Sequence, residues 1–286
     1  VNTLAEIVLA ARPRTGEAVV TDRRHSLGNA DLLDRSAAMA EDVRRRATRP
    51  TPLVVALLPS SIEAITLLLA AVIEDFTLAF VDPAGDPARR DAVLAALDPD
   101  LVIDANGLHP QRPVTERDGA AGYIAMSSGS TGGGPKGVLS TWLCLANFVP
   151  HGADALQLDA TAKWAEPSHP SYDLAMTNLV LALASGASVH VSGSLGDRLR
   201  PLAFIARVGA THVRLAPRFI DLAANEKKVA GSRALRVWGS GGDRLSALHA
   251  ARILELGVPT LINTYGTSET AGFASAAAFT PADDLM

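Results

Sequence analysis

The sequence predicts an α/β fold of two doubly wound lobes, and three observations carry that expectation. Runs rich in Val, Ile and Leu alternate with Ala-rich helical stretches, the pattern of βαβ units feeding parallel strands. A length of 286 residues allows one large or two medium domains, and 48% hydrophobic with 20% charged residues suits a chain that buries a sizeable core. A hydroxyl- and glycine-rich loop directly follows an apolar strand, and ligands of such sheets bind at the carboxyl ends of strands.

The elements follow in order. Leu53–Leu58 reads as a buried strand; Pro59-Ser60-Ser61 then starts a helix over Ile62–Ile73, with Ser61 as N-cap. Thr77–Val81 is the next strand. A helix spans Pro87–Leu97, its proline in the first turn where a missing N–H costs nothing, and a strand follows at Leu101–Ile103. Ala105–Ala121, with Asn, Gly, His and two prolines, reads as a linker between approximate lobes 1–121 and 122–286. The second lobe reads as strand Tyr123–Met126, a helix from about Ser140, strand Lys163–Glu166, helix Leu174–Ala184 and strand Ser188–Val191. Three further strands, Thr211–Leu215, Leu235–Trp238 and Thr260–Asn263, are separated by helical stretches. No short solenoid repeat is present.

Composition excludes several functions. With 26 basic and 30 acidic residues the net charge is −4, which gives no global field for nucleic acid. The single cysteine, Cys144, cannot form an intramolecular disulfide, and no Cys/His cluster has zinc spacing, so a reducing cytoplasmic setting and no bound zinc are expected. Cys144 itself, between Leu143 and Leu145, is expected in the core. The apolar run Ala64–Ile73 is about half the roughly twenty residues a spanning helix needs, so it is a core helix and no membrane role is expected. Val1-Asn2-Thr3-Leu4 carries neither a signal pattern nor an initiator methionine, which suggests a piece of something longer. Arg44-Arg45-Arg46 suits the carboxyl end of a helix, and His169 reads as a loop histidine.

The most informative stretch runs Tyr123-Ile124-Ala125-Met126-Ser127-Ser128-Gly129-Ser130-Thr131-Gly132-Gly133-Gly134-Pro135-Lys136-Gly137-Val138. Glycines let backbone N–H groups crowd around an anion, hydroxyls add donors, and a lysine supplies a mobile charge for outer phosphates. Lys136 follows proline and precedes glycine, which separates this loop from a Walker A motif.

These residues resemble the loop Ser-Gly-Ser/Thr-Thr-Gly-x-Pro-Lys-Gly of the adenylate-forming (ANL) superfamily, here one glycine longer. Three further stretches match in the family's order. Tyr172-Asp173 and Ala184-Ser185-Gly186-Ala187 resemble the Phe-Asp and Thr-Gly-Ala of amino-acid adenylation domains as in nonribosomal peptide synthetases. Leu235-Arg236-Val237-Trp238-Gly239-Ser240-Gly241-Gly242-Asp243 resembles the Gly-Gly-Glu segment beside the adenine. Asn263-Thr264-Tyr265-Gly266-Thr267-Ser268-Glu269-Thr270 resembles Asn-x-Tyr-Gly-Pro-Thr-Glu-Thr, with Thr267 for proline. The first third fits less tightly: Phe80-Val81-Asp82-Pro83 resembles Val-Pro-Leu-Asp-Pro, but Glu74-Asp75 replaces Lys-Ala-Gly.

The resemblance implies amino-acid activation, in which a carboxylate attacks the α-phosphorus of MgATP and pyrophosphate leaves, before loading onto a carrier-protein thiol. Positioning and charge neutralisation carry such a reaction. By motif, Lys136, Ser268 and Glu269 would be catalytic, with Glu269 holding Mg²⁺ and Ser268 meeting the α-phosphate. Ser127, Ser128, Gly129, Ser130, Thr131, Gly132, Gly241, Gly242, Asn263, Thr264, Tyr265 and Gly266 would bind ATP. Partners implied are an amino acid, a carrier protein with a phosphopantetheine arm and, in some related domains, a small activator protein.

The family's pocket positions fall on Asp173, Leu174, Thr177, Arg214, Trp238, Ser240, Thr264, Gly272 and Phe273. Asp173 would pair with the substrate ammonium or cap the following helix, or both. Arg214 would meet a side-chain carboxylate, or else turn outward or pair with a neighbouring acid; Trp238 and Phe273 would keep the space small. A small acidic amino acid is expected, aspartate or 3-methylaspartate and then asparagine. The sequence contains neither the family's ribose-binding Thr-Gly-Asp nor its C-terminal lysine domain, so 1–286 reads as a truncated core without full activity. The alternative is an incomplete adenylation-like module with a binding or assembly role.

Overall fold

The computed structural model describes residues 2–113, 119–127, 135–226 and 234–283. In chain order its elements are α1 (Leu4–Ala11), β1 (Val19–Thr21), β2 (Ser26–Gly28), α2 (Asn29–Arg46), β3 (Leu53–Ala56), α3 (Ile62–Glu74), β4 (Thr77–Phe80), α4 (Pro87–Leu97), β5 (Leu101–Asp104), β6 (Gly107–Pro110), β7 (Gly122–Ser127) and β8 (Lys136–Thr141). There follow α5 (Trp142–Ala155), β9 (Lys163–Glu166), α6 (Asp173–Ala184), β10 (Ser188–Val191), α7 (Leu195–Leu199), α8 (Pro201–Val208), β11 (His212–Leu215), α9 (Arg218–Ala224), β12 (Val237–Ser240), α10 (Ala247–Glu255), β13 (Thr260–Tyr265), a single 3₁₀ turn at Ser268–Thr270, and β14 (Ser275–Phe279).

Two mostly parallel sheets result. One has six strands in the order β6-β5-β3-β4-β7-β8, the other eight in the order β14-β13-β12-β11-β9-β10-β1-β2. The outermost strand on each edge is antiparallel to its neighbour. Each sheet draws strands from both sides of residue 121: β7 and β8 complete the sheet begun by β3, while β1 pairs with β10.

Local chemistry explains where helices begin. The Ser61 hydroxyl accepts from the Ala64 amide to cap α3, and Pro87 occupies the first turn of α4 behind the cap Asp86. From Ile62 to Val72 every residue of α3 but Glu63 is buried, as a core helix requires. No helix among the described residues is long and apolar enough to cross a membrane. α2 ends at Arg44-Arg45-Arg46.

Three expectations change. The supposed linker contains β6, which pairs with β5 at the sheet edge. The glycine-rich loop leads into a strand, β8, before the helix begins at Trp142. Cys144 is exposed, because on α5 it points away from the face carried by Leu145, Ala146 and Val149.

The main core lies between the two sheets and joins side chains of α1, α2, α3, α5 and α6 with strands of both. A second cluster, including Leu202, Phe204, Ile220, Trp238 and Ile253, packs α8, α9 and α10 on the other face of the eight-stranded sheet. Burying apolar side chains at about 25 cal/mol per Å² makes these layers the main source of cohesion. The layering also creates the site. β9 connects through α6 to β10 on one side and its neighbour β11 connects through α9 to β12 on the other, so the carboxyl ends of β9 and β11 form a switch point where such sheets bind ligands.

Candidate active site

Arg214 sits on β11, 3% exposed, facing α6. Its Nε donates to Thr264 Oγ1 at 3.0 Å, and Nη1 donates to Asn178 Oδ1 at 3.2 Å and Thr177 Oγ1 at 3.4 Å. Its Cζ lies 4.9 Å from the centroid of the Phe273 ring. No carboxylate among the described residues comes within ion-pair distance of it. Burial pulls the guanidinium down to about 10, opposed by the charges of Asp173 and Glu166. Arg214 therefore turns inward onto neutral partners, rather than outward or onto an acid.

Asp173 opens α6, but it does not cap the helix: Tyr172 is the N-cap and makes no side-chain capping bond. The Asp173 carboxyl is pushed up by burial, against the Ser268 side-chain hydrogen bond and the Arg214 charge, and Oδ1 has no partner among the described residues. A buried carboxylate oxygen without a donor is suited to an incoming ammonium.

Strand periodicity decides which neighbours share this pocket. Arg214 is in register with Gly239 of β12 and Gly239 with Ile262 of β13, so Gly239, Gly241 and Thr264 lie on the Arg214 face. A Cβ at Gly239 would stand 2.8 Å from Arg214 Cβ, and one at Gly241 would stand 2.4 Å from Thr264 Oγ1 and 3.2 Å from Arg214 Nη2. Trp238 and Ser240 belong to the opposite face; Trp238 is buried in the α8–α10 core. Arg214 thus meets Gly239, Gly241 and Phe273, not Trp238.

Phe273 is held by a T-shaped contact with Phe148 of α5, centroids 4.9 Å apart. Gly272, at φ +132°, comes so near that ring that a Cβ would lie 2.6 Å from it, so only glycine fits. Leu174 is half-buried and Thr177 buried on α6, where the Thr177 hydroxyl bonds back to the Asp173 carbonyl at 3.1 Å.

The other motifs converge at Ser268. Ser127 and Lys136 are register partners closing the β7–β8 hairpin, and Ser140 of β8 donates to the Ser268 carbonyl at 3.4 Å. Lys136 is exposed at the start of β8. Ser128, Gly129, Ser130, Thr131 and Gly132 lie outside the described residues. Glu269 is exposed, and hydrogen bonds from its own amide and from Thr267 hold its carboxyl below the usual range. One ionised, solvent-facing carboxylate is the donor set Mg²⁺ takes when phosphate oxygens and waters complete its shell. Tyr265 is 70% exposed, Gly241 and Gly242 stand nearby in sequence after β12, and Asn263 is half-buried. Tyr265 thus offers an open aromatic face, the kind of surface on which a planar base stacks, one residue after the Thr264 carbonyl that Gly241 approaches.

The sequence reading missed Glu166, Asn178 and Phe148. Glu166 ends β9, wholly buried, and accepts from Asn178 Nδ2 at 2.7 Å, the Ser168 amide at 3.0 Å and Trp164 Nε1 at 3.4 Å. Burial pushes its carboxyl up to about 7 against those bonds. A charge ending a short buried strand was the available signal. His169 is also wholly buried: Nε2 donates to the Leu58 carbonyl at 2.8 Å and Nδ1 accepts from the Ser171 amide at 3.0 Å, a bracing role between β3 and α6. An open cleft of about 1600 Å³, lined in part by Arg23, Arg24, Arg35 and Ser61, shares no residue with the Arg214 cluster.

Comparison with known proteins speaks to family and fold. The model of the AMP-binding enzymes matches residues 104–285. The chain is 32% identical to the chondramide synthase cmdD of Chondromyces crocatus over 67% of its own length and 5% of that protein's. It spans 3–7% of the length of the first three curated relatives it matches. Among solved structures it resembles VinN in complex with L-aspartate, with a TM-score of 0.81 at 15% identity, covering 96% of this chain and 78% of that one. It also resembles the Vibrio cholerae adenylation domain AlmE in complex with glycyl-adenosine-5'-phosphate, with a TM-score of 0.82 at 18% identity, covering 99% and 62%. At these identities the structural likeness speaks to the fold.

Proposed function

The chain belongs to the AMP-binding enzyme family, and from that premise we propose that it is the core of an amino-acid adenylation domain whose substrate is a small acidic amino acid, aspartate or 3-methylaspartate and then asparagine. The reaction is carboxylate plus ATP to aminoacyl-AMP and pyrophosphate, in service of a carrier-protein thiol in the cytoplasm.

One observation carries the reading: a buried guanidinium held, among the described residues, by neutral groups lies within electrostatic reach of Asp173, whose buried Oδ1 has no donor among them. A free α-amino acid with an anionic side chain complements both. Asp173 would take the ammonium and Arg214 the side-chain carboxylate, a pairing that offsets the desolvation of each. Gly239 and Gly241 let Arg214 and Thr264 pack tightly against β12, and Phe273 lies against the guanidinium, which suits a short side chain rather than a bulky one.

The remaining residues hold and orient. Thr177 and Thr264 fix the guanidinium; Ser268, between Ser140 and Asp173, is suited to orient the reacting carboxylate against the α-phosphate. Tyr265, Asn263, Gly241, Gly242 and Gly266 would receive the adenosine, and Ser127–Gly132 with Lys136 the outer phosphates. Mg²⁺, held by Glu269, would supply neutralisation of phosphate charge. A neighbouring fold, VinN, carries L-aspartate, which favours an acidic amino acid, and another, AlmE, carries glycyl-adenosine-5'-phosphate, which favours an aminoacyl-adenylate product.

Calorimetric titration with non-hydrolysable aspartyl- and leucyl-adenylate analogues tests the reading. The aspartyl compound should bind the tighter, and Arg214→Ala should weaken it by roughly 2–5 kcal/mol. Absence of binding by either, or preference for the leucyl compound, overturns it.

A further inference from the structure

Beside Arg214 stand two buried side chains outside the substrate and nucleotide motifs. Asn178 grips Arg214 twice: Nδ2 donates to its main-chain carbonyl at 2.9 Å, and Oδ1 accepts from Nη1 at 3.2 Å. The same Nδ2 donates to Glu166 at 2.7 Å. Because Glu166 is acceptor-only when ionised and its oxygens also face the Ser168 amide and Trp164 Nε1, the Asn178 amide must turn its NH₂ toward Glu166. That leaves Oδ1 for the guanidinium. An amide at 166 could not accept all three bonds.

Resting on the acidic-substrate reading above, we propose that Glu166 is a positioning and selectivity residue. Through Asn178 it holds the Arg214 guanidinium in place, and its charge sets how strongly the pocket prefers a carboxylate over a carboxamide side chain. His212 and Trp164 are register partners, so two residues on Glu166 and Arg214 lie side by side on one face of adjacent strands. A carboxylate there offsets part of the buried cation before any ligand arrives. What remains uncompensated is what a substrate carboxylate can answer.

Two substitutions should move selectivity in opposite directions. Glu166→Gln removes the offsetting charge and should raise the preference for an aspartyl- over an asparaginyl-adenylate analogue about tenfold at pH 8.5. Asn178→Asp added to Glu166→Gln returns one carboxylate, now against Nη1 with the amide introduced at 166 as its donor, and should lower that preference again about tenfold. A purely structural role would weaken both analogues alike. In the ligand-free wild-type chain, ¹⁵N spectra, with Arg214 assigned by Arg214→Lys, should show separate Nη1 and Nη2 signals from a guanidinium whose rotation is held.

Ratios unchanged within twofold in both variants, or an averaged Arg214 Nη signal in the wild type, overturn the proposal. If the wild type binds no analogue, the acidic-substrate reading and the selectivity role fall together, and the ligand-free spectrum still decides whether Arg214 is held.

Discussion

The Phe273 ring lies against the Arg214 guanidinium, with Cζ 4.9 Å from its centroid, and so places an aromatic face where a buried cation has no ion-pair partner among the described residues. The arrangement depends on Phe148, which meets Phe273 in a T-shaped contact from the middle of α5. Phe273→Leu keeps apolar volume but removes the quadrupole. Calorimetry with the aspartyl-adenylate analogue should show a loss of about three- to tenfold, in line with about 0.5–2 kcal/mol for such contacts, while thermal stability changes little. Unchanged affinity would reduce the ring to a wall.

Gly241 and Gly242 should separate cleanly. A Cβ at Gly241 meets Thr264 Oγ1 at 2.4 Å, so Gly241→Ala must displace the hydroxyl that accepts from Arg214 Nε and donates to the Ser240 carbonyl at 2.9 Å. A drop in analogue affinity of tenfold or more is expected. Gly242, at φ +79°, has nothing within 4 Å of its added Cβ, so Gly242→Ala should cost about 1 kcal/mol of stability through the backbone and, leaving Arg214 and Thr264 in place, lower affinity less than Gly241→Ala. Equal affinity losses in the two variants would contradict this geometry.

What the sequence revealed followed from local chemistry. Ser61 and Pro87 mark helix starts because caps and first turns are decided within a few residues. Asp173, Arg214 and Thr264 were legible from motif positions. Trp238 and Ser240 were not placed on the right face, because a one-residue slip along a strand reverses every side chain; the register Arg214–Gly239 settles it only once β11 and β12 pair. The edge strands β6 and β8 escaped notice because His109 and Pro110, or Lys136 and Gly137, look like loop chemistry until a partner strand is present. Glu166 and Asn178 are polar residues whose burial exists only in the assembled fold.

Asp100 links two strands of the six-stranded sheet at their starts. Only 4% exposed, it accepts from the Leu53 amide at 2.8 Å and lies 3.3 Å from Arg49 Nε. Asp100→Ala strands the Leu53 N–H and a partly buried guanidinium, so urea unfolding should register a loss of about 2–4 kcal/mol. Asp100→Asn, which still accepts from Leu53, should lose less. A loss under about 0.5 kcal/mol in the alanine variant would show that water replaces the carboxylate freely.

Acid sensitivity between pH 6.5 and 4 should trace in part to His190. On β10 its Nδ1 lies 2.6 Å from Thr21 Oγ1, joining β10 to β1, and Nε2 has no partner among the described residues. Burial, aided by the Lys163 charge, pulls the imidazole from 6.5 down to about 4. The unfolded chain therefore takes up this proton first. The stability His190 contributes is complete above pH 6.5 and drains away as pH falls toward 4, by roughly 1.4 kcal/mol per unit and about 3 kcal/mol in all. Glu166, raised to about 7, acts with the opposite sign, favouring the folded state as it gains a proton between pH 7 and 4.5. His169 and His212, also lowered by burial, add to the His190 trend. The wild type must therefore be compared with His190→Gln, in which those other contributions cancel. Urea unfolding at pH 7.5 and 4.5 should find the difference in stability between the two proteins shifted toward the variant by about 2 kcal/mol at the lower pH, and parallel pH curves would show that the His190 ring stays accessible to protons in the folded chain.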